Sequence, residues 1–276
     1  MRTILVPVER HDKAEAALRL AAIAAIRFGS VVDGLAFRTP LPPGFEWDLT
    51  AAGMIYEPDE TPERIREAAR VRFEQVMKAQ GLRSAVEEAS GPSWRWEDRI
   101  LAGNETLGVL GRAFDLTVVG QPSSGGSAIT TLEAALFESG GPVLIAAPQS
   151  VATLGDTVVI VWNGSTETAR TLGLARDVLQ RAKRVVVLSD DGTLNHRPSG
   201  EIVQRRLELN GIDSDLVTLP KGGIRSGETI LREASARGCD LLIKGAYTQS
   251  RIRQMIFGGA TKHLIENAAV PVMMAH

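Results

Sequence analysis

Apolar residues recur along this chain in two patterns, short β-branched runs and longer stretches at helical spacing, and the two take turns. Thr3 to Val8 is a short apolar run, which predicts a buried strand. His11 to Phe28 places Ala17, Leu18, Ala21, Ala22, Ala25 and Phe28 near helical spacing, with Gly29 beyond, which predicts a helix. Further on, Val31 to Phe37 reads as a strand, Asp59 to Gln80 as a helix with Pro62 near its start and Gly81 past its end, and Ser93 to Trp96 as a weaker strand. Leu101 to Phe114 reads as a helix carrying Gly103, Gly108 and Gly111, followed by strand Asp115 to Gly120, helix Ile129 to Ser139 and strand Pro142 to Ala147.

The pattern then starts again. Strands are expected at Thr157 to Trp162, Val185 to Ser189, Ile212 to Leu219, Asp240 to Lys244 and Pro271 to Ala275. Helices are expected at Thr166 to Ala182, Gly200 to Asn210, Ile230 to Arg237 and Ala260 to Asn267. The restart is visible in the residues themselves: Asp115-Leu116-Thr117-Val118-Val119-Gly120 matches Asp240-Leu241-Leu242-Ile243-Lys244-Gly245, and Pro142-Val143-Leu144-Ile145-Ala146 matches Pro271-Val272-Met273-Met274-Ala275.

Alternating strands and helices imply right-handed crossovers and parallel sheets with helices on both faces. The expected architecture is therefore α/β: two tandem flavodoxin-like or Rossmann-like units, each a five-stranded parallel doubly wound sheet. The first unit is expected over residues 1–149 and the second over 156–276, with Pro148 to Gly155 as linker. Ligands of such sheets bind beyond the carboxyl ends of the strands, so the loops after Trp162, Leu188 and Gly245 should converge. Leu41 to Pro58 has no clear period and reads as a surface connection.

Composition narrows the function classes. At 276 residues, 44% hydrophobic and 23% charged, the chain is globular and long enough for two domains. A formal net charge of −2, without blocks of like charge, argues against a nucleic-acid or polybasic membrane surface. With no apolar run of roughly 18 residues and no signal-like start, a cytoplasmic protein is expected. Cys239, the one cysteine, rules out an intrachain disulfide and reads as a small, largely inert residue.

The densest candidate chemistry is in the second copy, where Gly245-Ala246-Tyr247-Thr248 is followed nine residues later by Gly258-Gly259-Ala260-Thr261 at an expected helix start. Glycines let the backbone approach a ligand closely, and the free N–H groups at a helix start attract phosphate. Thr248 and Thr261 add hydroxyl donors, and Arg251, Arg253 and Lys262 add positive potential. Asn163-Gly164-Ser165 follows the first strand of this copy, where a ribose or base would lie.

These residues resemble the universal stress protein family in its tandem form, and the resemblance covers nearly the whole chain. The nucleotide-binding branch of that family carries a glycine, two residues, a glycine, nine residues, then glycine followed by Ser or Thr. Gly245 and Gly258 match this pattern, whereas Thr248 replaces the second glycine and Gly259 the hydroxyl residue. Asn163 stands where the family places an acidic residue near the sugar. The resemblance implies ATP or AMP as ligand, with Mg²⁺ accompanying the phosphates. Asn163 and Leu188 would lie beside the base, with Gly245, Tyr247, Thr248, Gly258, Gly259, Ala260 and Thr261 around the phosphates. It also implies an intramolecular pseudo-dimer of the two copies, pairing through their last strands, with a further homodimer compatible.

In the first copy Glu9 corresponds to the acidic residue, but 22 positions separate Gly120 from Pro142 where 26 separate Gly245 from Pro271. Ile129 then falls where Gly258 does, and cannot copy its backbone role. The first copy is expected to have lost its site, while Ser123 to Ser127 reads as a flexible loop. His11, His196, His263 and His276 show no metal spacing, and Asp190-Asp191-Gly192 reads as a turn. Three functions stay open: a ligand-responsive stress or regulatory protein that binds an adenine nucleotide in its second half, a nucleotide-independent interaction protein, and a slow nucleotide hydrolase for which no residue is a convincing general base.

Overall fold

A computed structural model of the chain describes residues 1–9, 14–38, 61–85, 91–102, 104–122, 128–149, 151–190, 197–246 and 259–276. Backbone contacts divide the chain into two compact units, Met1–Ser139 and Gly140–His276.

The first unit is a parallel sheet of β1 (Thr3–Val8), β2 (Val31–Arg38), β3 (Arg83–Ser84), β4 (Ser93–Ala102) and β5 (Leu116–Gly120), in the order β3-β4-β2-β1-β5. Ile4, Leu5 and Val6 of β1 are sealed from solvent, as expected of a strand covered on both faces. Its helices are α1 (Ala14–Phe28), α2 (Pro62–Ala79), α3 (Asn104–Gly111) and α4 (Ala128–Glu138). The α2 helix buries Ile65, Ala69, Phe73 and Met77, one residue every four, and is capped by the Thr61 hydroxyl accepting from the Arg64 N–H at 3.4 Å.

The second unit has a sheet of β6 (Val143–Ala146), β7 (Thr157–Val161), β8 (Arg184–Asp190), β9 (Asp215–Leu219), β10 (Leu241–Lys244) and β11 (Val272–Met274), ordered β6-β11-β10-β7-β8-β9. All neighbours are parallel except β6 and β11, which run antiparallel with Leu144 opposite Met273. The strand at Val143, expected to close the first unit, thus forms part of the second. Helices α5 (Thr166–Leu174), α6 (Arg176–Leu179), α7 (Gly200–Glu208), α8 (Gly227–Ser235) and α9 (Gly259–Asn267) connect these strands, with a 3-10 turn at Gly223–Arg225. Counted from β7, the strand order is third, second, first, fourth, fifth. That is the order of dinucleotide-binding halves, not the flavodoxin order, and it puts the reversal between β7 and β10.

Four expected elements change their bounds. The weak strand at Ser93 runs on to Ala102, because its pairing with β2 slips between Leu35 and Ala36 and carries Glu97-Asp98-Arg99 past an irregularity. The helix expected from Leu101 therefore starts at Asn104. Its Gly108 is needed where α3 meets α4: a β-carbon there would come within 2.4 Å of the Glu138 β-carbon. The helix expected from Thr166 to Ala182 is broken at Ala175 into α5 and α6. The α8 helix starts at Gly227, three residues before the expected Ile230, because the Ser226 hydroxyl caps it by accepting from the Thr229 N–H.

The aspartates that open the repeat do one job in both units. Asp115 accepts from the N–H groups of Arg2 and Thr3 at 2.7 and 3.0 Å, and Asp240 from those of Asp156 and Thr157 at 3.1 and 2.9 Å. Each carboxylate ties the start of its strand to the start of the neighbouring first strand. These hydrogen bonds, from the Arg2 N–H above all, hold the Asp115 carboxyl below its ordinary pKa.

Candidate functional site at the carboxyl ends of β7 and β10

The paired ends of β7 and β10 set Val161 beside Lys244, so the residues after them are neighbours at the point where strand order reverses. From β7 the chain passes through Trp162 and Asn163 into Gly164, whose φ of +65° belongs to the left-handed region that glycine accepts. Ser165 then caps α5, its hydroxyl accepting from the Thr168 N–H at 3.2 Å.

Asn163 holds this turn from inside. Its amide oxygen accepts from the Ser165 N–H at 3.1 Å and from the Thr168 hydroxyl at 2.6 Å. The residue read from sequence as a ribose ligand is therefore also the brace of the α5 start. Leu188 lies within β8 with its side chain fully buried, and its carbonyl accepts from the Trp162 N–H at 2.8 Å. Leu188 is 0% exposed as a whole residue, so it stands in the core of the second unit.

The two described glycines of the expected phosphate loop have opposite surroundings. At Gly245 a β-carbon would lie 2.3 Å from the Thr168 backbone nitrogen and 2.6 Å from its hydroxyl oxygen. Glycine is required there because the first turn of α5 rests on the end of β10. At Gly259, the first residue of α9, a β-carbon would meet no atom of the described residues within 4 Å, and the residue is exposed. Ala260 and Thr261 follow in the same turn, Thr261 buried. Tyr247, Thr248 and Gly258 of the expected set, and Arg251 and Arg253 beside them, lie outside the described residues.

Sequence reasoning missed the residue that ties these parts together. Lys244, the last residue of β10, is 7% exposed, and its ammonium donates to the Thr261 hydroxyl at 2.9 Å and to the Gly245 carbonyl at 3.1 Å. Burial pushes its pKa down to about 8, against a smaller opposing pull from the Glu167 carboxylate. Glu167, in the first turn of α5, keeps one carboxylate oxygen buried without a hydrogen-bond partner among the described residues. The signal was present in the repeat, where Lys244 aligns with Val119: a lysine in an otherwise apolar strand is costly unless it has work at the strand end.

The first unit carries a different pair at the corresponding edge. Glu9, directly after β1 and 3% exposed, accepts from the Thr131 hydroxyl of α4 at 2.7 Å. An acidic side chain thus faces the first turn of α4, where in the second unit a lysine faces the first turn of α9.

Other candidates resolve into structural parts. His263 packs in α9 against Gly227 of α8, where a β-carbon would lie 2.6 Å from the His263 β-carbon. Asp190 accepts from the Gly222 N–H at 2.9 Å, and Asp191 and Gly192 lie outside the described residues. Cys239 is buried, and burial pushes its thiol up to about 12. Among the described residues no three His, Cys, Asp or Glu side chains form a group that would hold a metal ion. No helix among them is long and apolar enough to cross a membrane.

Comparison with known proteins agrees with this layout. Residues 156–276 match the universal stress protein family. No curated protein matches the chain. Among solved structures, a universal stress protein from Archaeoglobus fulgidus superposes with a TM-score of 0.68 at 16% identity, covering 98% of this chain and 97% of that one. A functionally unknown protein from Pseudomonas aeruginosa gives 0.59 at 15% identity over 99% and 92% of the two chains. The cytoplasmic domain of a prokaryotic cation chloride cotransporter gives 0.53 at 14% identity over 99% and 94%. At such identities these likenesses establish the fold over the whole length, and nothing about ligands. Residues 156–276 thus form a universal stress protein family domain.

Proposed function

We propose that the protein binds ATP or a related adenine nucleotide in its second unit and acts as a cytoplasmic, ligand-responsive stress protein. The observation that carries this reading is the first turn of α9, where Gly259 is exposed and a β-carbon would meet no atom of the described residues, beside the end of β10 at the strand-order reversal. Backbone N–H groups at such a turn are a ready site for phosphate. The ribose and base would lie toward Asn163, with the phosphates along Gly245, Tyr247, Thr248, Gly258, Gly259, Ala260 and Thr261. Mg²⁺ would accompany the phosphates as part of the ligand. The first unit would supply structure and a pseudo-dimer surface without a nucleotide of its own, a reading supported by the buried Glu9 carboxyl that takes the Thr131 hydroxyl. Titration calorimetry of the full chain with ATP and with AMP tests the reading: saturable binding of either supports it, and absence of heat and of competition for both overturns it.

A nucleotide-independent interaction protein is the second reading. It is favoured by the commitment of the Asn163 amide oxygen to Ser165 and Thr168, which leaves no free acceptor oxygen on that side chain for a sugar hydroxyl.

A further inference from the structure

Lys244 is a buried cation that forms no ion pair among the described residues. No carboxylate lies within ion-pair distance of its ammonium among the described residues, and its two hydrogen bonds go to neutral oxygens, the Thr261 hydroxyl and the Gly245 carbonyl. A lysine ammonium has three donors, so one is left over. The nearby Glu167 carboxylate pulls on the charge from α5, but its partner for one oxygen is the Thr166 hydroxyl, and its other oxygen is unpartnered.

The ammonium also sits where a cation is least welcome. Thr261 is in the first turn of α9, the positive end of that helix, so the helix dipole and the buried charge oppose one another. Two positive features facing one spot leave a strong local demand for an anion. The strand itself does not ask for the lysine, since Val119 fills the equivalent position of the first copy.

We propose that Lys244 is the counter-ion for a phosphoryl group bound at the first turn of α9. It reaches that group from the end of the sheet, while Thr261, whose oxygen accepts from Lys244, keeps its own hydroxyl proton to donate outward. The proposal rests on the second unit being a phosphate-binding site and adds the residue that makes the site select charged ligands over neutral ones. In this unit selection for phosphate comes from a side chain of the sheet as well as from the backbone of a loop.

The test uses the full chain, wild type and Lys244→Met, titrated with ATP, with tripolyphosphate and with adenosine. Methionine keeps an unbranched apolar side chain one atom shorter and removes the ammonium, and circular dichroism with a cooperative thermal transition verifies the fold. Thr261→Val, which removes the hydroxyl but leaves the lysine, is the second variant. The expected result is a loss of ATP and tripolyphosphate affinity of about tenfold or more in Lys244→Met, with a smaller loss in Thr261→Val. Adenosine affinity should be unchanged. Equal ATP affinity in wild type and Lys244→Met overturns the proposal and leaves nucleotide binding standing. Tripolyphosphate binding without ATP binding, lost in Lys244→Met, sinks the nucleotide reading and supports the anion site. Binding of neither anion by the wild type overturns both.

Discussion

The Lys244 ammonium donates to the Thr261 hydroxyl at 2.9 Å, joining the last residue of a buried strand to the first turn of the last helix. The bond is made by two residues that are both more than nine-tenths buried, at the carboxyl end of the sheet where ligands of this architecture bind.

That burial sets a pH dependence. The folded-state pKa of Lys244 is near 8, below its ordinary value of 10.5, so at intermediate pH the unfolded chain binds more protons than the folded one. Stability from this group therefore rises with pH between about 8 and 10.5, and its burial cost is present in full below pH 8. Without ligand, Lys244→Met should be more stable than the wild type at pH 7, and the gap should narrow by roughly 1–3 kcal/mol by pH 10. Urea unfolding at both pH values measures it; a gap independent of pH would contradict the depressed pKa.

The two glycines make a paired prediction. Gly245→Ala drives a β-carbon into the Thr168 backbone, which flexible side chains cannot relieve, and should destabilise the second unit by several kcal/mol, about 3 or more. Gly259→Ala enters open space and should leave the melting temperature unchanged or slightly raised, since alanine is the better helix residue. Gly259→Val should keep the fold and weaken ATP binding. Thermal melts of the variants, with calorimetry of the last, check the contrast.

Much of this was legible in the residues. Strand and helix alternate as their periods indicate, and the Asp115 and Asp240 repeat marks the same structural tie in both copies. What was hidden depends on contacts between distant segments. Gly245 looked like a phosphate glycine, yet its surroundings are set by Thr168, 77 positions earlier in the chain. Lys244 looked like the end of a strand, because its partner Thr261 comes 17 residues later. Asn163 was read outward, toward a ligand, while its oxygen turns inward to brace α5. Local pattern finds elements well; it does not say which way a polar side chain faces at an element's end.

The repeated aspartates predict matched effects. Asp115→Asn and Asp240→Asn each keep the side-chain shape but weaken charge-assisted hydrogen bonds to two strand N–H groups, and each should cost about 1 kcal/mol, solvent screening included. Because the Asp115 pKa is lowered, its contribution is present above the ordinary carboxylate range and lost as pH falls through the folded pKa. Denaturant titrations of the two variants at pH 7 and pH 3 should show the Asp115→Asn penalty shrinking at the lower pH.

Cys239 offers a probe of the second unit. Buried at 7% exposure with its thiol pushed up to about 12, it should not react with an aromatic disulfide reagent in the native protein, and should react fully in denaturant. Rapid native-state labelling would mean that the start of β10 opens far more readily than its packing implies.

The asymmetry between the copies is tested most directly by the stoichiometry of ATP binding to the full chain in titration calorimetry. An ammonium faces the helix start in one unit and a carboxylate in the other. The expected result is one ATP per chain, unaffected by Glu9→Gln and weakened about tenfold or more by Lys244→Met. Two equivalent sites per chain, or a single site that survives Lys244→Met and is lost in Glu9→Gln, would contradict it.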